Sequence, residues 1–95
     1  MRKVLRFNLP QSAQFEDVSN DVALAVFTGE CIHGRPRTRI EASYLVSGNG
    51  RRCLISVGGP AGESVASVFA GLCGERFGEE GFQVEELGPR HEAGE

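Results

Sequence analysis

The stretch from residue 51 to residue 78 constrains the fold most, because a short apolar run meets a glycine-rich break and then a helical pattern. Residues 53–57 are short and rich in β-forming side chains, as expected of a strand in a core. A pair of glycines then frees the backbone to turn, and Pro60 suits the first helical position because its missing N–H would be unpaired there. The stretch predicts a strand, a tight turn and a helix over residues 60–77.

Two patterns run along the predicted helix. An apolar stripe recurs at helical spacing, and beside it lies a ridge of small residues spaced four apart: Gly62, Ala66, Ala70 and Gly74. Small side chains let another backbone approach closely, and interior glycines that each cost about 1 kcal/mol relative to alanine need such a compensation. The ridge predicts close packing on this chain's own sheet. The alternative is contact with the same helix of a second subunit through Ala66, Ala70 and Gly74.

Alternating side chains predict further strands. Residues 2–9 and 37–47 each alternate apolar and polar positions, which indicates half-buried strands. Asn49-Gly50 follows the second of these, and Asn-Gly is the strongest short hairpin signal because both residues tolerate positive φ. We therefore expect a hairpin that joins residues 37–47 to residues 51–57.

Residues 22–32 allow two interpretations. Val22 and Val26 fit a helical stripe, but a Ser-Asn-Asp cluster just before them indicates a turn, and the run is rich in β-formers. We expect a strand. With a last strand at residues 82–87, the expected architecture is α+β: an antiparallel sheet of four to five strands with one main helix, residues 60–77, on one face. If residues 22–32 are helical instead, the order becomes the ferredoxin-like β-α-β-β-α-β arrangement.

Composition is that of an ordinary globular domain: 95 residues, 40% hydrophobic and 24% charged. No uninterrupted apolar run is long enough to span a bilayer. Three cysteines, an odd number without a CxxC motif, argue against a disulfide framework and fit a reducing compartment. We expect a cytoplasmic protein that has no membrane partner, with a single domain over residues 1–87 and a mobile tail over residues 88–95.

Charge is distributed unevenly along the chain. The net charge is −3, yet residues 1–52 carry +3 and residues 53–95 carry −6, and nine of the ten basic residues are arginine. The acidic last strand is expected to pair beside the basic first strand, with Glu85 or Glu86 near Arg2 or Arg6. Opposite charges on neighbouring strands stabilise a sheet modestly.

The sheet face that a single helix leaves open is expected to mix arginines with a few leucines. This composition is typical of an interface core. The leading hypothesis is a small non-enzymatic binding or accessory domain that self-associates, most simply as a homodimer. The contact would use either the ridge of small residues or the sheet face, whose expected interface residues are Arg6, Arg39, Glu41, Leu45 and Leu54.

An anionic ligand is the second hypothesis for this face. The planar guanidinium group pairs two oxygens at once, and the expected anion-binding residues are Arg37, Arg39 and Arg52. Nucleic acid is disfavoured as the anion, because the face lacks the exposed aromatic side chains that stack on bases and the chain is acidic overall.

Enzyme chemistry is the third hypothesis, and its candidates are Cys31 and His33. Two residues apart on a strand they would share a face, as a nucleophile and its base or as half of a metal site. The other cysteines lie on apolar faces and are expected in the core. The glycine-rich turn before Pro60 lacks the GK[ST] of a phosphate-binding loop, so we interpret it as a turn and helix cap. The leading hypothesis includes no catalytic residue, metal or cofactor.

Overall fold

A four-stranded antiparallel sheet organises the chain in the computed structural model, which describes residues 2–87. The strand order is β2-β3-β1-β4, and every neighbouring pair is antiparallel. In chain order the elements are β1 (Lys3–Asn8), α1 (Phe15–His33), α2 (Arg35–Glu41), β2 (Ala42–Val46), β3 (Arg52–Val57), α3 (Pro60–Phe77) and β4 (Gln83–Glu86).

The α+β class and the antiparallel sheet with α3 packed on it are therefore confirmed. The order is that of the ferredoxin-like alternative, with the short helix α2 added before β2. The predicted tail, residues 88–95, lies outside the described residues. None of the helices within residues 2–87 has the length and apolarity needed to cross a membrane.

The core lies between one face of the sheet and the helices. Alternate residues of β3, namely Cys53, Ile55 and Val57, are buried with Phe7 of β1, as the pleat of a strand dictates. Phe7 meets Phe69 of α3 edge to face, with ring centroids 4.8 Å apart. This packing uses one side of the sheet, and the helices leave the other side open.

Helix α3 has the predicted bounds, residues 60–77. The start of its small-residue ridge packs inside the chain: a Cβ on Gly62 would lie 2.4 Å from the carbonyl oxygen of Glu41, and Ala66 is buried. A Cβ on Gly74 would meet nothing within 4 Å. The expected close packing on the chain's own fold is thus confirmed for the first half of the ridge.

The expectation of a strand at residues 22–32 is wrong, because these residues belong to α1. Four buried residues define the helical stripe that packs inward: Val18, Val22, Ala25 and Gly29. Gly29 permits the approach of α3, since a Cβ there would lie 2.9 Å from the Cγ2 atom of Val65. The Ser-Asn-Asp cluster does not form a turn, because all three residues lie within α1. Asp21 accepts hydrogen bonds at 2.8 and 3.0 Å from the guanidinium of Arg76 on α3.

The predicted strand at residues 37–47 is half wrong. Its first half is helix α2, and only Ala42–Val46 form β2. Gly34, with φ of 90°, separates α1 from α2, and a proline in the first turn favours helix. Thr38 is buried and its hydroxyl donates to the Gly34 carbonyl oxygen at 2.9 Å. Arg37, Arg39 and Glu41 therefore lie on a helix and not on the sheet.

The hairpin between β2 and β3 is confirmed. The backbone N–H of Gly50 donates to the carbonyl oxygen of Ser47 at 2.9 Å, and Gly50 has φ of 76°. Asn49 does not have positive φ, contrary to expectation; its side-chain oxygen instead accepts from the Arg51 N–H at 2.9 Å. The turn thus needs one left-handed glycine and one asparagine acceptor.

Candidate interaction surface

The sheet face opposite the helices carries an apolar band. Direct neighbours in the register share a face, so Leu45 lies beside Leu54, and Leu54 beside Arg6. The apolar residues of this face are called the apolar band. They are Leu45 of β2, Leu54 of β3, Val4 of β1 and Leu87, which directly follows β4. The band runs diagonally across the sheet, and a shallow depression of about 210 Å³ lies along part of it.

Two members of the apolar band are well exposed. Leu45 is 66% exposed and Leu87 is 38% exposed, while Val4 and Leu54 are half-buried. The backbone N–H of Leu87 donates to the Val4 carbonyl oxygen at 2.8 Å, which keeps the last residue of the band in register with the sheet. A patch of this kind on a small domain is a candidate contact surface.

A charged flank borders the apolar band. Arg6 Nε donates to Glu85 Oε1 at 2.8 Å across strands β1 and β4. This hydrogen bond, with the positive charge of Arg6 behind it, holds the pKa of Glu85 below its ordinary value. The expected pairing of the acidic last strand with the basic first strand is therefore confirmed for Arg6 and Glu85. Arg52 lies exposed on the same face, opposite Asn8.

The three arginines predicted to bind an anion are not brought together. Arg37 and Arg39 lie on α2 in the helical layer, whereas Arg52 lies on the opposite, open face of the sheet. Arg37 is 3.7 Å from a Glu41 carboxylate oxygen, and Arg39 is 3.5 Å from one of Glu30. The predicted three-arginine site is thus wrong as an assembly.

Glu41 has a role that the sequence did not indicate. Its Oε1 atom accepts a hydrogen bond at 2.8 Å from the backbone N–H of Ala61, at the start of α3. A Cβ on Gly59 would lie within 2.8 Å of all three carboxyl atoms of Glu41, so this glycine is what admits the carboxylate. The carboxylate that occupies the helix N-terminus comes from Glu41, whereas the glycine-rich turn supplies the space for it and no side-chain cap of its own. No local signal marks this pair, because its members are 20 residues apart.

Cys31 and His33 do not share a face, and the expectation that they do is wrong. Both lie on α1, where residues two apart point to different sides of the helix. The Cys31 side chain is exposed, whereas His33 Nε2 lies 2.8 Å from the hydroxyl oxygen of Ser64 on α3. Burial raises the pKa of Cys53 and of Cys73 to about 12, so neither thiol ionises readily. Among residues 2–87 there is no group of three or more side chains that could hold a metal ion.

No known protein family, curated protein or solved structure matches this chain. The fold and the open sheet face therefore define only a class of protein, a small α+β domain with one uncovered sheet surface.

Proposed function

We propose that this protein is a small non-enzymatic binding or accessory domain that self-associates through its open sheet face. The observation that carries the proposal is the apolar band, which no element within residues 2–87 covers. Removing the exposed Leu45 and its neighbours from water would be favourable by about 25 cal/mol for each Å² buried. A second copy is the simplest partner that could supply a matching surface.

The arrangement of charges supports a two-fold contact. In such a contact both copies use the same patch. The apolar band of one copy can therefore pack against the apolar band of the other, and the charged flank of one copy against that of the other. The charged flank of each copy carries both positive and negative side chains, namely Arg6, Glu85 and Arg52. An exposed Arg52 of one copy can therefore approach the Glu85 of another without leaving a like-charge pair. An apolar centre with an arginine-rich polar rim is the usual anatomy of an interface.

The size of the face sets the expected strength. Four strands spaced about 4.8 Å apart and five residues long, at about 3.4 Å per residue, give a flat area of about 330 Å². This is well below the roughly 800 Å² that each partner buries in a stable complex. The proposed dimer is therefore weak and dependent on concentration.

The helix ridge is the less favourable route. Ala66 is only 5% exposed and packs in the core, so it is not available to a partner. Ala70 and Gly74 are more exposed, but two small residues do not make a surface.

The free cysteines support a further element of the proposal, a reducing, cytoplasmic location.

Sedimentation across micromolar to near-millimolar concentration tests the proposed function. The wild-type chain should show a mass that rises with concentration, and Leu45→Glu should weaken the association at least tenfold. Leu24→Glu is the matched control, because Leu24 is a similarly exposed leucine on α1, far from the sheet face. A strictly monomeric wild-type protein, or equal effects of the two substitutions, would overturn the proposal.

A further inference from the structure

We infer that the edge of β2 receives strand β4 of a second copy, so that copies join head to tail into a continuous antiparallel sheet. This contact differs from the one through the open sheet face. It rests on the proposed self-association only in that the partner is again a copy of this chain.

The backbone of β2 is free to accept a strand. Gly58 N–H donates to the Glu41 carbonyl oxygen at 2.7 Å and Ser47 N–H to the Arg52 carbonyl oxygen at 2.9 Å. In an antiparallel ladder, every second residue of a strand bonds to the same neighbouring strand, so residues 43 and 45 of β2 bond to β3. Tyr44 and Val46 fall between them, so their N–H and C=O groups point outward from the sheet.

The side chains of β2 do not protect its edge. Natural edge strands are usually guarded by charged residues or proline, and Ala42–Val46 contains neither. The other edge of the sheet, β4, carries Glu85 and Glu86. Two uncharged β2 edges would gain nothing electrostatically from each other, whereas an acidic strand would be attracted to Arg39, which lies beside β2 and is 61% exposed.

The polarity of the two edges permits head-to-tail joining. Strand β2 is antiparallel to β3, β3 to β1, and β1 to β4, so β2 and β4 run in opposite directions at opposite edges. Moving a copy sideways along the sheet, without turning it over, therefore sets its β4 antiparallel to β2. The helices of both copies then lie on the same side of one extended sheet.

A cavity beside β2 can receive side chains of the added strand. It has a volume of about 400 Å³ and lies where α1, α2 and β2 meet. Its lining combines apolar and hydrogen-bonding groups: Val26, Thr38, Arg39, Ala42, Ser43 and Tyr44. A cavity of this size suits one or two side chains.

The incoming strand has side chains that suit this cavity. In β4, Val84 lies opposite Phe7 and Glu86 opposite Leu5, so both side chains belong to the helical side of the sheet. Val84 is 44% exposed, and no ion pair within residues 2–87 involves Glu86. Both residues are thus available to a second copy.

One register satisfies the backbone and the charges together. With Tyr44 opposite Val84 of the second copy, Ala42 lies opposite Glu86 of that copy. The Ala42 N–H is already bonded to the Thr38 carbonyl oxygen, but its C=O can accept from the added strand. The Glu86 carboxylate then lies on the side of Arg39, whose side chain is 61% exposed and has donors beyond its 3.5 Å contact with Glu30.

The contact has a signature that distinguishes it from the sheet-face dimer. It joins two different surfaces, so each added copy presents a new free β2 edge, and assembly does not stop at two copies. A sheet-face contact with two-fold symmetry closes at the dimer. Species larger than a dimer therefore report the strand addition.

A charge-swap experiment on the full chain tests the inference, with sedimentation as the readout. Arg39→Glu and Glu86→Arg should each weaken the formation of species above the dimer about tenfold or more. An equimolar mixture of the two variants should restore these species, because Glu at position 39 of one chain then meets Arg at position 86 of the other. Tyr44→Pro removes an outward N–H that β3 does not use and should have the same effect as either single variant. Glu79→Arg, in the loop before β4, is the control for a general charge effect.

The outcomes separate the two proposals. If the wild-type protein stops at a dimer, or if the mixture fails to restore larger species, the strand addition is wrong and the sheet-face proposal stands. If larger species persist in both single variants, the inference is also overturned. Only a wild-type protein that is monomeric throughout removes both.

Discussion

Glu41 at the end of α2 accepts a hydrogen bond from the backbone N–H of Ala61 in the first turn of α3, at 2.8 Å. The contact ties the two helices together at the point where β2 begins. It also places negative charge at the positive end of the dipole of α3. The helix thus receives its cap from a residue far away in the sequence, since the flanking Gly59 offers no side-chain acceptor.

Replacing Glu41 tests this cap. Glu41→Ala should lower the free energy of unfolding by about 1–2 kcal/mol, as loss of a helix cap typically does. Glu41→Gln keeps an acceptor oxygen and should cost less. Urea denaturation measures both variants, and an alanine variant as stable as the wild-type protein would show that the contact contributes nothing.

Two glycines of α3 should respond in opposite directions to alanine. Gly62→Ala places a Cβ 2.4 Å from a backbone oxygen and should cost about 1–3 kcal/mol through overpacking. Gly71→Ala meets nothing within 4 Å and should stabilise the helix by up to about 1 kcal/mol. Thermal or urea denaturation compares the pair, and changes of equal sign would contradict the close approach at Gly62.

The ion pair between Arg6 and Glu85 should make stability depend on pH. Because folding lowers the pKa of Glu85 below its ordinary value, the pair stabilises the fold above the unfolded-state pKa. The stabilisation is lost as the pH falls through the lower, folded-state pKa. Between about pH 7 and about pH 3, the wild-type protein should therefore lose more stability than Glu85→Gln does. Glu79→Gln is the control for the loss of one acidic residue, because it leaves the hydrogen bond between Arg6 and Glu85 in place.

The three thiols should differ in reactivity. Cys31 is exposed, whereas Cys53 and Cys73 are buried with pKa values raised to about 12 by burial. An alkylating reagent at neutral pH should add one label to the folded protein and three to the protein in denaturant. Mass spectrometry reads the count, and rapid labelling of Cys53 in the folded state would contradict its place in the core.

Parts of the fold could be predicted because their signals are local. The run from strand β3 through the glycine turn to Pro60 combines a strand, a break and a helix start within one short segment, and α3 has the predicted bounds. The Asn-Gly turn is likewise local, because Gly50 adopts positive φ and the Asn49 side chain accepts a hydrogen bond two residues on. The pairing of Arg6 with Glu85 is not local, but it is one of the four pairs that the acidic last strand and the basic first strand predicted, because opposite charges on neighbouring strands attract.

Other parts needed the tertiary structure. The apolar run at residues 22–27 fits a helix or a strand equally well, and α1 forms because Val22 and Gly29 pack against the rest of the core while Asp21 binds Arg76. Of the interaction surface, Leu45 and Leu54 were predicted to lie on the open face. Arg39 and Glu41 were misplaced, because residues 35–41 form the short helix α2, in which Thr38 is buried but Ile40, two residues on, is 71% exposed.

The α+β class, the hairpin, helix α3 and the signs of charge at the two ends of the chain all follow from patterns in the sequence. Periodicity and turn chemistry act between near neighbours, so they can be read along the chain. Three further features are visible only in the folded chain: α1 is helical, Glu41 caps α3, and β2 and β4 form opposite edges of the sheet. Those features depend on contacts between residues that are distant in sequence. Such contacts stabilise the structure only after folding has brought the residues together.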